Sequence, residues 1–202
     1  TFSSQSGATS ASTCTSCPAG SYSSSLSASS VAQCYLCPSG TYSTIVGSTS
    51  PSTCTLCPQG TYGLLPGANS SSMCTRCPSG TTNLLTGASS VSSCSACAAG
   101  SYASNSINCL PCAAGYYTSN AGESSCTACP IGYYSLAGST SCTKCPAGTF
   151  SDRTGTARCA TCPVGTYSRV EGATSSQTCV ACDPGSYAPI SGSKLCVPCD
   201  AG

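Results

Sequence analysis

Along this chain the large aliphatic residues are scattered singly among serine, threonine, glycine and cysteine, so no stretch offers the continuous face that a packed apolar core needs. Between recurring glycines run short segments such as Thr41-Tyr42-Ser43-Thr44-Ile45-Val46, which favour extended backbone and are too short for helices. The pattern predicts an elongated rod of tiny irregular hairpins and loops, with little or no helix and no conventional core. Units of that size cannot bury a face alone; they gain stability by stacking on neighbours.

Repetition organises the whole chain, residues 1–202. All 22 cysteines fall into eleven CxxC pairs, beginning at Cys14, Cys34, Cys54, Cys74, Cys94, Cys109, Cys126, Cys142, Cys159, Cys179 and Cys196. After each pair comes a phrase of the type Pro-x-Gly-[Ser/Thr]-Tyr, as in Cys57-Pro58-Gln59-Gly60-Thr61-Tyr62. Its Gly recurs from Gly20 to Gly202 without exception, which predicts a tight turn with positive φ, and Pro suits the first corner of that turn. A second Gly stands seven residues before the next Cys (Gly47, Gly67, Gly87, Gly172) or four (Gly122, Gly138, Gly155, Gly192), so two loop lengths coexist. Four residues before Cys109 the position is Asn105, the residue after Gly that best tolerates the left-handed region. Ser27 holds the position in an early repeat and breaks the rule.

Composition sharpens this picture. Trp and His are absent, Phe occurs twice and Met once, while the cysteine density is that of a disulfide scaffold. Cross-links must substitute for burial, and such a chain matures in the oxidising secretory pathway, which predicts an extracellular or cell-surface location. Charged residues make up 5% of the chain, with none before Arg76, so a nucleic-acid surface is disfavoured. No apolar run approaches the ~20 residues of a membrane span and no signal peptide opens the chain, so the segment is expected to be an internal piece of a longer precursor.

The cysteines admit several readings. The simplest tiling joins the second Cys of one pair to the first of the next: Cys17–Cys34, Cys37–Cys54, Cys57–Cys74, Cys77–Cys94, Cys97–Cys109, Cys112–Cys126, Cys129–Cys142, Cys145–Cys159, Cys162–Cys179 and Cys182–Cys196. It leaves Cys14 and Cys199 without partners inside the chain. Loops of this size stabilise by about 3 kcal/mol per bond in the chain-entropy model, whereas a bond within CxxC closes almost nothing. A crossed pattern, with both cysteines of one pair bonded to both of the next, stays open. The spacing also matches a four-Cys zinc ribbon, but an unbroken run of motifs without a single His argues against metal, and no cofactor is expected. A redox CxxC sits singly at a helix start, and none is visible.

The aromatics after each glycine (Tyr22, Tyr42, Tyr62, Tyr102, Tyr117, Tyr134, Phe150, Tyr167 and Tyr187, with Thr82 the exception) are expected to cover a disulfide or the next repeat's turn rather than to stack on a ligand. Ser and Thr make up about a third of the chain, which invites O-linked glycan. Asn69-Ser70-Ser71 is the one N-glycosylation acceptor.

The phrase CxxC-Pro-x-Gly-[Ser/Thr]-Tyr-Ser followed by Gly-x-[Thr/Ser]-Ser resembles the ephrin-receptor-like cysteine-rich repeats, with Cys162-Pro163-Val164-Gly165-Thr166-Tyr167-Ser168 and Gly172-Ala173-Thr174-Ser175 a close instance. The opening is also similar to the first loop of tumour-necrosis-factor-receptor cysteine-rich domains, where one disulfide closes the loop. That resemblance implies the same tiling. Ala98 and Ala113 depart from the Pro, and Asp183 pushes it on to Pro184. Long uninterrupted arrays resemble those of protist and algal surface proteins, including mastigoneme-like flagellar hairs.

Catalysis needs a general base, an activated nucleophile or a metal, in a pocket. With no His, five scattered acids and no pocket expected in units so small, the chain is not expected to be an enzyme. The expectation is a structural component of an extracellular filament, stalk or coat, its partners copies of itself, other coat proteins and O-linked glycans, with no nucleic acid and no membrane insertion in this segment. The rival is a receptor ectodomain binding a protein or glycan, which would show one divergent repeat with clustered hot spots.

Overall fold

The computed structural model describes residues 1–3, 5–6, 10–25 and 29–200; Ser27 and Gly202, both part of the glycine pattern, lie outside them. Over the described residues there is no α-helix, but ten two-stranded sheets in tandem and six single 3₁₀ turns. The chain divides into two compact units, Thr1–Ser95 with Asn105–Asn108, and Ala96–Ser104 with Cys109–Gly202.

The repeat closed by Cys37 and Cys54 shows how each hairpin is built. Pro38 to Thr41 form a turn in which the Thr41 N–H donates to the Pro38 carbonyl at 3.1 Å, and Gly40 takes φ +83° at the third position, as a type II turn requires. Pro38 therefore stands ahead of the first corner, not at it as expected, and Ser39 occupies the corner. The strand Thr41–Tyr42 pairs antiparallel with Thr55–Leu56, Tyr42 opposite Thr55. The partner strand is the pair of residues inside a CxxC. Two cysteines flanking an extended dipeptide lie about 10 Å apart, which excludes a bond within the pair. Of the segment 41–46 expected to be extended, only Thr41–Tyr42 is strand; Val46 and Gly47 form the second turn, with Gly47 at φ +76°.

The two loop lengths have a single cause. In each longer loop the additional three residues are one 3₁₀ turn directly before the Cys: Val31–Gln33, Pro51–Thr53, Ser71–Met73, Val91–Ser93 and Ser176–Thr178. A serine caps each one, Ser50 Oγ for instance accepting from the Ser52 N–H at 3.2 Å. The four-residue loops lack that turn.

Successive hairpins are tied by a recurring set of backbone hydrogen bonds. Between the Cys17–Cys34 and Cys37–Cys54 loops, Gly20 N–H donates to Ser43 O (2.8 Å), Cys37 N–H to Gly20 O (2.9 Å), Ser23 N–H to Ser48 O (3.0 Å) and Gly47 N–H to Cys17 O (2.8 Å). The second unit repeats the set between the Cys112–Cys126 and Cys129–Cys142 loops: Gly115 N–H to Ser135 O, Cys129 N–H to Gly115 O, Thr118 N–H to Ser139 O and Gly138 N–H to Cys112 O. Stacking is thus carried by main chain, and the interior left between hairpins is filled mainly by sulfur and small side chains. Cys37, Cys97, Cys112, Cys129, Cys145 and Cys162 are fully buried, beside Ser43, Ser135, Ser168 and Ala173.

The left-handed corner in the shortest loop falls on Ser106, at φ 60°, one residue after the expected Asn105. There the strand is longer, Cys109–Pro111, and Cys109 itself pairs opposite Ala103, so the corner has one residue fewer before the Cys. Asn105 serves the same turn differently, its Oδ1 accepting from the N–H groups of Ile107 and Asn108, both at 3.1 Å.

Candidate functional site

The structure contains the ten disulfides Cys17–Cys34, Cys37–Cys54, Cys57–Cys74, Cys77–Cys94, Cys97–Cys109, Cys112–Cys126, Cys129–Cys142, Cys145–Cys159, Cys162–Cys179 and Cys182–Cys196, with Cα–Cα distances of 5.5–5.8 Å. Each joins the end of one CxxC to the start of the next, so every sulfur in them is committed to a covalent bond. Cys14 and Cys199 are free and exposed. Among the described residues no group of three or more His, Cys, Asp or Glu side chains is placed to hold a metal ion.

The sequence reasoning missed the role of the hydroxyl in the Gly-[Ser/Thr] step. Thr41 Oγ1 donates to Pro38 O at 2.7 Å, the carbonyl that also closes the turn, and Ser21, Thr61, Thr81, Thr149 and Thr166 do the same with their own prolines. The alternation of Ser with Thr was the available signal, since both carry the hydroxyl that this bond needs. Other interior polar side chains are similarly occupied, Ser48 excepted: Ser135 Oγ donates to Tyr116 O at 3.0 Å, and Asn83 Nδ2 to Thr61 O at 3.1 Å.

The expected aromatic row is half-buried in Tyr22 to Tyr167, and Tyr187 is exposed. Tyr22 meets Tyr35 across its hairpin at 6.0 Å between centroids, and the Arg169 guanidinium sits 5.7 Å over Tyr167. Tyr116, outside the expected row, lies over a later turn: a methyl on Gly155 would stand 3.2 Å from Tyr116 Oη.

Two surface features depart from the expectations. The second unit has an open groove of about 390 Å³ whose lining includes Tyr134, Leu136, Pro146 and Arg158, where no pocket was expected. In the first unit large aliphatic residues are not single: Ile45-Val46, Leu64-Leu65 and Leu84-Leu85 are adjacent pairs, one per repeat, and all six are exposed. Asn69 is exposed just before the 3₁₀ turn Ser71–Met73. Among the described residues no helix is long and apolar enough to cross a membrane.

No curated protein matches the chain significantly. The family model described as tyrosine-protein kinase ephrin type A/B receptor-like matches it four times, over residues 4–54, 51–94, 100–131 and 132–179. These matches cover disulfide-closed hairpins in both units, ending at residue 179 before the one closed by Cys182–Cys196, and the repeats are those of an extracellular domain. The chain belongs to the ephrin-receptor-like cysteine-rich repeat family.

Proposed function

We propose that this chain is a structural segment of an extracellular filament, stalk or surface coat, glycosylated and without catalytic activity. The observation that supports this reading is the backbone ladder: within each unit every hairpin is tied to the next by the same hydrogen bonds and closed by its own disulfide. A chain built so resists extension because no hairpin opens without losing bonds to its neighbours. The absence of His and the five acids in the whole sequence leave no general base with a partner to activate it.

Glycan completes the proposal. Asn69 and Ser71 of the acceptor tripeptide are both exposed, so a transferase meets the amide and the hydroxyl it reads. Small-angle scattering is the test of the spacer role: a maximum dimension of roughly 100–200 Å is expected if each hairpin adds one or two strand widths along an axis. A compact globule refutes it. Mass spectrometry of native material, with Asn69 and the Ser/Thr-rich stretches unmodified, refutes the glycan.

The groove near Arg158 favours a second reading, a receptor ectodomain with a ligand site in the second unit. Electron microscopy of native material separates the two. A fibre with an axial repeat supports the structural role, and isolated molecules beside a membrane support the receptor.

A further inference from the structure

The first unit exposes an apolar stripe that its own fold leaves uncovered. Ile45, Leu65 and Leu85 stand at the same place in three successive repeats, two residues ahead of the second glycine, and each has an aliphatic neighbour, Val46 after Ile45 and Leu64 and Leu84 before the two leucines. All six side chains are between 52 and 65% exposed. Leu36 lies under the turn that follows Leu65, its Cδ2 3.0 Å from where a methyl on Gly67 would stand, and Leu56 holds the same place 2.7 Å under Gly87. Both leucines are themselves more than half exposed and add to the aliphatic surface beside these turns. At the equivalent position of the next repeat stands Arg76, the first charged residue of the sequence, and it bounds the row.

We infer that this stripe is an interface with a second copy of the chain, packed stripe against stripe. The reading rests on the proposed structural role and names its contact surface. Three observations identify a copy as the occupant. First, Ile45, Leu65 and Leu85 recur at a constant 20-residue step, and a partner with the same step fits every member of the row; another copy has that step by construction. Secondly, homotypic packing sets like charges against each other, which costs free energy on an ordinary surface, yet residues 1–75 contain no Lys, Arg, Asp or Glu. Thirdly, eight large aliphatic residues, each more than half exposed, within one stretch of the chain exceed the scattered single apolar residues that a monomer's surface ordinarily carries.

The central pair, Leu64-Leu65, meets its own counterpart whether the copies run parallel or antiparallel, and it is the place to test. In sedimentation equilibrium the chain carrying Cys14→Ser and Cys199→Ser, which removes adventitious thiol linkage, is expected to associate as a dimer. Leu64→Glu with Leu65→Glu is expected to raise the dissociation constant at least a hundredfold, and Leu64→Lys with Leu65→Lys to do the same. An equimolar mixture of the two variants is expected to recover a heterodimer, because the charges that repel within each variant attract between them. Leu136→Ser and Ile190→Ser, equally exposed but in the other unit, are expected to leave association unchanged. Native amide exchange in the hairpins verifies that the variants are folded.

A chain that stays monomeric at millimolar concentration overturns the inference. So does a dimer indifferent to the central pair, or one weakened by both charge variants but not recovered by mixing them. Flotation of the monomer with phosphatidylcholine vesicles, lost in the Glu variant, also overturns it by making lipid the occupant. The structural role fails on other evidence, a compact scattering profile or a solitary location in native material, so the two failures are told apart.

Discussion

Gly148 and Gly165 hold the same place in successive repeats and differ in one respect. Their φ angles are +85° and +80°. Each amide donates to the following repeat, Gly148 to Ser168 O at 2.8 Å and Gly165 to Ala188 O at 3.0 Å, and each carbonyl accepts from a Cys amide, of Cys162 and Cys182 respectively. A methyl on Gly148 would run into the carbonyl of Gly192, two repeats on, with the carbonyl carbon at 2.7 Å and Ser193 O at 3.1 Å, whereas in this 202-residue segment, which holds no second glycine turn two repeats beyond Gly165, nothing lies within 4 Å of the same methyl on Gly165. The pair separates the cost of left-handed backbone from the cost of main-chain crowding. Gly165→Ala is expected to lose about 1–2 kcal/mol, the penalty of a Cβ in that region. Gly148→Ala adds about 1–3 kcal/mol of overpacking, because the obstacle is backbone that cannot rotate away. Local opening is read by native amide exchange, NMR following the Cys162 N–H in one variant and the Cys182 N–H in the other. At about 1.4 kcal/mol per tenfold, Gly165→Ala should accelerate exchange roughly 5- to 30-fold and Gly148→Ala from about 30-fold to several thousandfold. Equal accelerations at the two sites would refute the claim that glycine is needed for carbonyl approach as well as for φ.

Three further substitutions probe the same framework. Ser48 Oγ is buried without a hydrogen-bond partner where the following repeats have Ala68 and Ala88, so Ser48→Ala should be neutral or stabilise by up to about 1 kcal/mol in thermal unfolding of the oxidised chain; a clear loss would contradict it. Ser106→Gly should stabilise by about 0.5–1 kcal/mol by relieving its φ of 60°, while Asn105→Ala should destabilise by about 1 kcal/mol through two orphaned amides, and a reversal of these signs would restore Asn105 as the corner. Replacing Cys129 and Cys142 together by Ala opens a loop of sequence separation 13 around a fully buried sulfur and should cost about 3 kcal/mol, seen as more than hundredfold faster exchange at Cys145 N–H. Acceleration below fivefold would mean that hydrogen bonds alone hold the hairpin.

Much of one hairpin was legible because it is local. The glycine after each CxxC, the short strand that follows and the spacing of the cysteines are all properties of a stretch of about 20 residues, and a turn that needs positive φ leaves its mark on that stretch alone. The difference between the loop lengths was visible but not its content, since a serine followed by three unremarkable residues is a weak sign of a 3₁₀ turn. Ser106 escaped for a related reason: counting back from Cys109 assumes a constant hairpin, and here the strand takes one more residue.

By itself the sequence determined that sulfur would replace an apolar core, that the unit would be a small hairpin, and that the family would be the ephrin-receptor-like repeats. Only the tertiary structure decided what lies between hairpins. Gly20 N–H reaches Ser43 O at 2.8 Å, and main chains that close leave room mainly for sulfur and small side chains, while the rings of the aromatic row from Tyr22 to Tyr167 stay half-buried. The same close approach turns Ile45-Val46, Leu64-Leu65 and Leu84-Leu85 outward. Side-chain direction in such a fold depends on which backbone atoms a repeat offers its neighbour, a relation between residues about 20 to 30 positions apart that no local pattern encodes.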